Sequence, residues 1–175
     1  MKHKKDNVKL RPNDKSPSCQ WYVVNYHLWN ALNEKGCVPQ KSLVLEFPNE
    51  DIFADKSLIR HFIRGYFDGD GSLSYDKRKE TIIPRLCTLG TNSFLNKVAR
   101  HANCLNSCII EDSRSKNPIW MFKCNVEESL KFMHYLYDDC TIYLDRKYAR
   151  YQCFNQDPEL PLEALEWPEF VDYTK

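Results

Sequence analysis

Residues 61–74, with the sequence HFIRGYFDGDGSLS, constrain the fold of this chain more than any other stretch. Two glycines, Gly65 and Gly69, lie four residues apart, and each costs about 1 kcal/mol in a helix relative to alanine. Small residues at this spacing allow a second backbone to approach closely, so the pattern predicts a helix–helix contact. Apolar residues recur around them at helical spacing: Leu58, Ile59, Phe62, Ile63, Tyr66 and Phe67.

The sequence Gly-Asp-Gly at 69–71 predicts the end of this helix. Asp68 and Asp70 then lie at the helix C-terminus, where the dipole disfavours a carboxylate by roughly 0.3–1 kcal/mol. Two carboxylates there suggest a compensating cation or a special role. A tight hairpin turn is the simpler alternative. An EF-hand loop starting at Asp68 is excluded, because its sixth and twelfth positions hold Leu73 and Lys79 instead of glycine and glutamate.

Residues 63–71, IRGYFDGDG, resemble the signature helix of LAGLIDADG homing endonucleases, in the form found in the phage and bacterial branch of that family. The first half departs from the family pattern, with Ile-Arg in place of Leu-Ala. The resemblance implies that the glycine-spaced helices of two half-domains pack together through Gly65 and Gly69. It further implies that Asp70 binds a catalytic Mg²⁺ or Mn²⁺, with the carbonyl of Gly69 or Gly71 as a second ligand. Asp68 is the rival ligand, with a structural contact as its more plausible role.

Periodicity and turn signals predict the order αββαββα over residues 50–156, an α+β fold with a four-stranded antiparallel sheet packed on helices. The same order describes a LAGLIDADG half-domain. Pro84 cannot donate to a strand ladder, so its strand is expected at an edge or a bulge. The predicted elements are a helix from Asp51 or Asp55, strands 72–76 and 81–88 around a turn at 77–80, helix 92–105, strands 107–111 and 119–124, helix 127–137 capped by Asn125, and helix 142–154.

The flanking segments are shorter and less regular. Residues 1–18 are predicted to be a mobile basic arm. Residues 19–49 resemble the strand–helix remnant and linker of a first half-domain, with a strand at 20–27, a helix at 28–35 and an extended stretch at 43–47. Residues 157–175 form an acidic tail, in which Trp167 and Phe170 are candidate anchors for a partner.

Two further residues are expected in the catalytic site. Residues 144–147, Leu-Asp-Arg-Lys, resemble the family's Leu-x-Arg-Lys element, whose lysine projects toward the scissile phosphate and orders water. This resemblance makes Lys147 a candidate catalytic residue, with a solvated basic pair as the alternative. Thr88 is the candidate polar residue that faces the metal from the second strand, although a slip of one residue would reverse its face.

The sheet is expected to bind the DNA major groove through its open face, with side chains on the strands directed to bases and those in the turns to phosphates. The candidate residues concentrate on the two hairpins and their turns. They are Ser72, Ser74, Lys77, Arg78, Lys79, Arg85, Arg114, Lys116 and Lys123.

Composition is that of an ordinary globular protein, with 42% hydrophobic and 28% charged residues in 175. The net charge of +1 conceals an acidic tail, without which residues 1–156 carry +6. The N-terminus lacks the apolar segment of an export signal, so the eight cysteines are expected as buried thiols in the cytoplasm of a bacterial or phage-infected cell. A zinc site at His101, Cys104 and Cys108, spaced along one predicted helix, is an alternative.

These features favour a metal-dependent endonuclease that recognises and cleaves specific double-stranded DNA. One motif supplies one acidic ligand, so a second half is required, either from a homodimer or from a missing upstream segment. The remnant at 19–49 favours the missing segment. Two alternatives remain: a DNA-binding regulator or intron RNA maturase that has lost cleavage, and an interaction domain without nucleic acid.

Overall fold

A computed structural model describes residues 7–11, 18–39, 43–113 and 115–170, with side chains except in 7–11 and 18–22. Arg114, one of the predicted DNA-binding residues, lies outside the described part of the chain. The described residues fall into two units, 7–38 and 39–170. Within the described residues, no helix is long and apolar enough to cross a membrane.

The first unit contains an antiparallel pair of strands, β1 (Asn7–Arg11) and β2 (Ser18–Tyr22), followed by helix α1 (Tyr26–Glu34). Residues 7–11 are therefore a strand, in a segment for which a mobile arm was expected. The predicted strand at 20–27 is too long. β2 ends at Tyr22, and Asn25 then caps α1, since its side chain accepts the N–H of Leu28 at 3.0 Å.

The second unit contains the predicted order of helices and strands, and the expected α+β fold is confirmed. Its elements are α2 (Leu58–Asp70), β3 (Ser72–Arg78), β4 (Thr81–Gly90), α3 (Asn92–His101), β5 (Cys108–Glu111), β6 (Trp120–Lys123), α4 (Val126–Tyr137), α5 (Asp145–Gln156) and β7 (Leu160–Pro161). Residues 43–47 form a turn and irregular backbone, where an extended stretch was predicted.

Helix α2 begins later than predicted. Asn49 caps a short 3₁₀ helix at Glu50–Ile52 by accepting the N–H of Asp51. Asp55 accepts the N–H of Ser57 at 2.7 Å in the turn that follows. Both acidic candidates for the helix start therefore belong to the turns before it, because short polar side chains bond nearby backbone groups.

The sheet has the strand order β3-β4-β6-β5, entirely antiparallel, and β7 adds a fifth strand beside β4. On its second edge, β4 pairs with β7 at residues 81–82 and with β6 at residues 87–90. Pro84 lies in the gap between these two pairings, opposite Tyr75 of β3. It thus occupies a local edge, where its missing N–H breaks no ladder bond.

One face of the sheet packs on the helices. Alternate residues of β4, including Ile82 and Leu86, share this face with Leu73 of β3 and Phe122 of β6, and all are buried. The helices contribute their apolar stripes to the same core. The predicted cap of α4 is confirmed, since Asn125 accepts the N–H of Glu128 at 2.8 Å.

The acidic C-terminal segment is part of this core as far as it is described. Leu160 pairs with Ile82, and the 3₁₀ helices Leu162–Glu166 and Pro168–Phe170 follow. Phe170 is 3% exposed and packs on Phe154. The expectation of an exposed Phe170 anchor is therefore wrong, because this aromatic ring is occupied within its own domain.

Candidate functional site

The candidate site begins at the C-terminus of α2, where the chain turns sharply into β3. The N–H of Gly71 bonds the carbonyl of Phe67 at 2.8 Å. A Cβ at position 71 would overlap the Phe67 ring and lie 2.7 Å from the Phe67 carbonyl oxygen. Only glycine fits here, and the resulting turn leaves Asp70 exposed at the helix end.

Lys147 of α5 holds this turn from inside the protein. Its buried ammonium group donates to the carbonyl oxygens of Phe67, Asp68 (3.1 Å) and Gly71 (2.6 Å). An ammonium group has three N–H donors, so these acceptors match its full capacity. Burial, and to a lesser degree the charge of Arg146, lowers the pKa of Lys147 to about 8. Its positive charge lies at the negative end of the α2 dipole, where cations are favoured.

This placement changes the interpretation of Lys147. The alternative of a solvated basic pair is wrong for it, since its side chain is 0% exposed, whereas Arg146 is exposed. The direct contact with a phosphate stays a prediction. What the geometry shows is a cap on α2 that fixes the backbone on both sides of Asp70.

Asp68 makes the structural contact that was expected of it. One carboxylate oxygen accepts from the Tyr137 hydroxyl at 2.6 Å, and the other accepts from the N–H of Leu144 at 3.0 Å. Leu144 is the residue before α5, so this carboxylate also satisfies a donor at the start of that helix. Burial, followed by the hydrogen bond to Asp68, raises the pKa of Tyr137 well above its ordinary value.

Two arginines of α2, missed in the sequence, complete this network. Arg60 donates to the carbonyl of Asp138 at 2.8 Å, and Arg64 donates to the carbonyls of Leu136 (3.0 Å) and Ile142 (2.8 Å). They cap the C-terminus of α4. Arg64 occupies the second position of the motif, where the family pattern has alanine, and this departure was the available signal.

The end of α2 offers oxygen donors, the type of atom that a hard divalent cation binds. Mg²⁺ is commonly held by one or two carboxylates and substrate phosphates, and it keeps several waters. Asp70 supplies an exposed carboxylate. The Gly71 carbonyl is directed at Lys147, which leaves Gly69 as the candidate second ligand. Within the described residues, no group of three or more His, Cys, Asp or Glu side chains is arranged to hold a metal. A metal at Asp70 would thus need further ligands from water, DNA or a second chain.

Thr88 does not face the candidate metal site. It lies on the packed side of β4 opposite Phe122, is 2% exposed, and its hydroxyl has no hydrogen-bond partner among the described residues. The prediction that Thr88 faces the metal is therefore wrong, because Thr88 lies on the packed side of the sheet, and a shift of one residue along the strand reverses the side. Cys87 and Leu89 lie on the opposite side of β4.

The side of the sheet away from the helices, here called the open face, carries several predicted DNA-binding residues. Alternation from the register places Ser72, Ser74 and Arg78 of β3, Arg85 of β4 and Lys123 of β6 on it. Arg85 is exposed and bonds Asp76 at 3.1 Å across the hairpin.

The remaining predicted residues have other positions. The turn of the first hairpin is shorter than predicted, with Lys79 at φ 46° and Glu80 between the strands. Lys77 thus belongs to β3, on the side opposite to the open face, and this corrects its expected position in the turn. Lys116 is exposed in the connection between β5 and β6.

The glycine side of α2 is open. A Cβ at Gly65 or Gly69 would meet no atom within 4 Å. A groove of about 430 Å³ runs beside these residues. Its lining is formed by His61, Arg64, Gly65, Asp68, Ile142, Tyr143 and Leu144. Ile142 is 79% exposed, so this surface is partly apolar and uncovered in the described chain.

The zinc alternative is wrong. Helix α3 ends at His101, so the assumed single helix face does not exist. Cys104 is buried with its thiol against the carbonyl of Glu128, and Cys108 lies on β5. A hydrogen bond with Cys104, together with burial, raises the pKa of Cys124, as expected for a core thiol. Cys37 and Cys108 are exposed, so the expectation that all eight cysteines are buried is wrong.

Two solved structures of proteins complexed with DNA are similar to this chain. The first is an archaeal intron-encoded homing endonuclease, I-Vdi141I, with 18% identity, 58% of this chain and 69% of that chain covered, and a TM-score of 0.46. The second is a group I intron-encoded homing endonuclease, I-CeuI, with 17% identity, 70% of this chain and 67% of that chain covered, and a TM-score of 0.48. No family model and no curated protein matches the chain.

Proposed function

We propose that this chain is one half of a sequence-specific endonuclease for double-stranded DNA, of the homing type, with a divalent metal at Asp70. The observation that carries the proposal is the end of α2. An exposed carboxylate stands where the helix dipole disfavours it, on a turn that Gly71 and the buried Lys147 hold in place. Lys147 supplies one positive charge at this helix end, and a bound cation would supply a second beside the Asp70 carboxylate.

The open face supports DNA as the substrate. Arg78, Arg85 and Lys123 lie on it, and Lys79 and Lys116 lie in the turns at its ends. Cations in such positions suit a duplex, because strands of a sheet fit the major groove while charged turns contact phosphates.

A metal bound at Asp70 would act as a Lewis acid on the scissile phosphate and activate water. The residues of this chain would supply its position. Asp70 presents its carboxylate at the end of α2, beside the end of the sheet where β3 begins. Lys147 fixes the carbonyls of Asp68 and Gly71, so the peptide groups on either side of Asp70 cannot move freely.

The second half would cover the glycine side of α2. Gly65 and Gly69 leave room for another backbone, and the adjoining groove exposes Ile142 and Tyr143. A second chain or an upstream half-domain with its own acidic residue would provide the ligand for the other DNA strand.

One observation favours a DNA-binding protein without cleavage as the second candidate. Of the three predicted catalytic side chains, Lys147 and Thr88 are buried, and only Asp70 is exposed. A regulator or a maturase would keep the open face and the helix contact, and it would need no metal.

The test is cleavage of a plasmid that carries the DNA flanking the gene, rejoined without the gene, with the chain supplied alone and as a fusion to any upstream half. With Mg²⁺, we expect cleavage by the natural sequence and none by Asp70→Asn, while both bind the site equally in EDTA. Asp51→Asn, an exposed aspartate outside the site, is the matched control.

Full cleavage by Asp70→Asn would refute the metal assignment. Specific binding without cleavage by the natural sequence, in every form supplied, would favour the regulator. Absence of specific binding would refute both candidates.

A further inference from the structure

The open face is divided into rows of different chemistry. The β4–β6 and β5–β6 registers join Leu89, Met121 and Ile110 into an apolar row across three strands. The next row along the strands contains Ser72, Cys87, Lys123 and Cys108. Beyond it, Ser74 pairs with Arg85. The face is therefore apolar at one end, carries Lys123 and Arg85 in its middle rows, and continues toward the first hairpin with Asp76 opposite Ile83 and Arg78 opposite Thr81.

The apolar row lies at the end of the sheet that carries the candidate metal site. Ser72, two residues after Asp70, is opposite Cys87, and Leu89 is two residues farther along β4 in the same direction. Arg85 lies on the other side of Cys87. Four residues of strand separate Leu89 from Arg85, which corresponds to about 14 Å.

The apolar row is accessible to a ligand. Leu89 is 37% exposed and Ile110 is 45% exposed, while Met121 between them is nearly covered by its neighbours. On its hairpin side this row is followed by Lys123 in the next row and by Arg85, which is paired with Asp76, in the row after that. An apolar strip beside cations is complementary to a major groove, whose floor carries methyl groups and whose walls carry phosphates.

We propose that this row selects thymine methyl groups next to the cleavage position, and that Arg85 selects guanine farther out. The inference rests on the proposed function and names the bases that the open face would select in the DNA. Thymine alone carries a methyl group in the major groove, and an arginine forms two hydrogen bonds to guanine O6 and N7. The ion pair with Asp76 holds the Arg85 guanidinium above the sheet.

The geometry also limits the distance between the two base classes. The rise of DNA is about 3.4 Å per base pair along its axis. The 14 Å between Leu89 and Arg85 then spans at most about four base pairs, and fewer where the strand follows the winding groove. The target half-site should have a thymine-containing step nearest the scissile bond and a guanine two to four pairs away from it.

The test starts with selection of bound duplexes from a randomised pool in EDTA, which prevents cleavage. The selected site is then synthesised with deoxyuridine at each thymine in turn, which removes one methyl group and no hydrogen-bonding atom. We expect each proximal substitution to weaken binding about two- to fourfold, as estimated from the burial of one methyl group. Thymines outside the proximal step should tolerate the change.

Two variants assign the effects to residues. Leu89→Ser should remove the sensitivity to deoxyuridine while guanine selection persists. Arg85→Gln should relax guanine selection by roughly fivefold or more, in the range of one bidentate contact, and keep the sensitivity to deoxyuridine. Leu105→Ser and Arg100→Gln, which change exposed residues of the same types away from the open face, are the matched controls and should alter neither.

The outcomes separate this inference from the function on which it rests. If the selection yields a specific site that lacks proximal thymines, or if deoxyuridine has no effect, the assignment of the rows is wrong and the endonuclease proposal stands. Sensitivity that persists in Leu89→Ser also overturns the assignment. If no specific sequence is selected, both proposals are refuted together.

Discussion

Replacing Lys147 by methionine tests the role of the buried ammonium group most directly. Methionine keeps much of the apolar stem and removes the three N–H donors. The carbonyl of Phe67 retains the N–H of Gly71 at 2.8 Å, whereas the carbonyls of Asp68 and Gly71 lose this donor. Each of these two part-buried carbonyls costs about 1–3 kcal/mol when it is left without its donor. The free energy of unfolding should therefore fall by about 2–6 kcal/mol.

The change is measured by urea unfolding, with amide hydrogen exchange at residues 69–73 as a local readout. We expect faster exchange in this turn than in α4, because Lys147 holds the end of α2 directly. Arg146→Met is the matched control, since it removes a neighbouring exposed charge, and its unfolding free energy should change by less than about 0.5 kcal/mol. A loss below about 1 kcal/mol in Lys147→Met, with unchanged exchange in the turn, would show that the ammonium contacts contribute little.

Three further predictions concern the interface, DNA and pH. Gly65→Leu should raise the unfolding free energy of the isolated chain by roughly 0.5–1 kcal/mol, since leucine is the better helix former and no atom lies within 4 Å of a Cβ there, but abolish association with a second half in analytical ultracentrifugation; unaltered association would exclude this helix side. Neutralising Arg78 and Lys79 should reduce the slope of log binding constant against log salt by about 0.9 for each lost phosphate contact; an equal slope would remove the hairpin from the DNA contact. Burial raises the pKa of Tyr66 to about 12 and also raises that of Tyr137. Their protonated forms favour the folded state, so stability should be lost as pH rises above about 10, as followed by circular dichroism. The lowered pKa of Lys147 acts in the opposite direction up to about pH 10.5, so equal stability at pH 10.5 and 11.5 is the result that would contradict the prediction.

The sequence predicted the helices and strands of the second unit well because their signals are local. Apolar spacing specifies α3 and α4, and Asn125 marks a helix start through a hydrogen bond three residues away. The side of β4 on which Thr88 lies was not predictable with the same certainty. Strand alternation has a period of two, and the residues on both sides of Thr88 are partly apolar, so the sequence alone did not fix the register.

The burial of Lys147 could not be predicted from the sequence pattern either. Lysine is rarely buried, so a lysine on an amphipathic helix is expected to face solvent. In α5, Lys147 shares its spacing with Arg150, Tyr151 and Phe154, all of them buried. The sequence signal for this burial was that Lys147 and Arg150 share the helix side of the apolar residues. Their partners are backbone carbonyls of α2 and β3, which leave no trace in residue identity.

The tail was misjudged for a related reason. Its acidic composition suggested a tail that contacts a partner through Trp167 and Phe170, yet Leu160, Ala164 and Phe170 are spaced through it and are buried. Few apolar residues are enough to attach a segment to the core when a strand edge is already present to pair with its backbone. β4 offers that edge beside Pro84, and the tail pairs with it at Thr81 and Ile82.

The pairing of Leu160 with Ile82 has a consequence for synthesis of the protein on the ribosome. Arg150 bonds the carbonyls of both Leu73 and Glu169, and Lys147 reaches back 80 residues to Phe67. The first hairpin ends at Gly90 and therefore waits for about 80 later residues, up to Phe170, before its supports exist. Contacts this distant in sequence slow folding. The nascent hairpin, with its unpaired β4 edge, is thus the segment most exposed to mispairing and to chaperones until translation has passed Phe170.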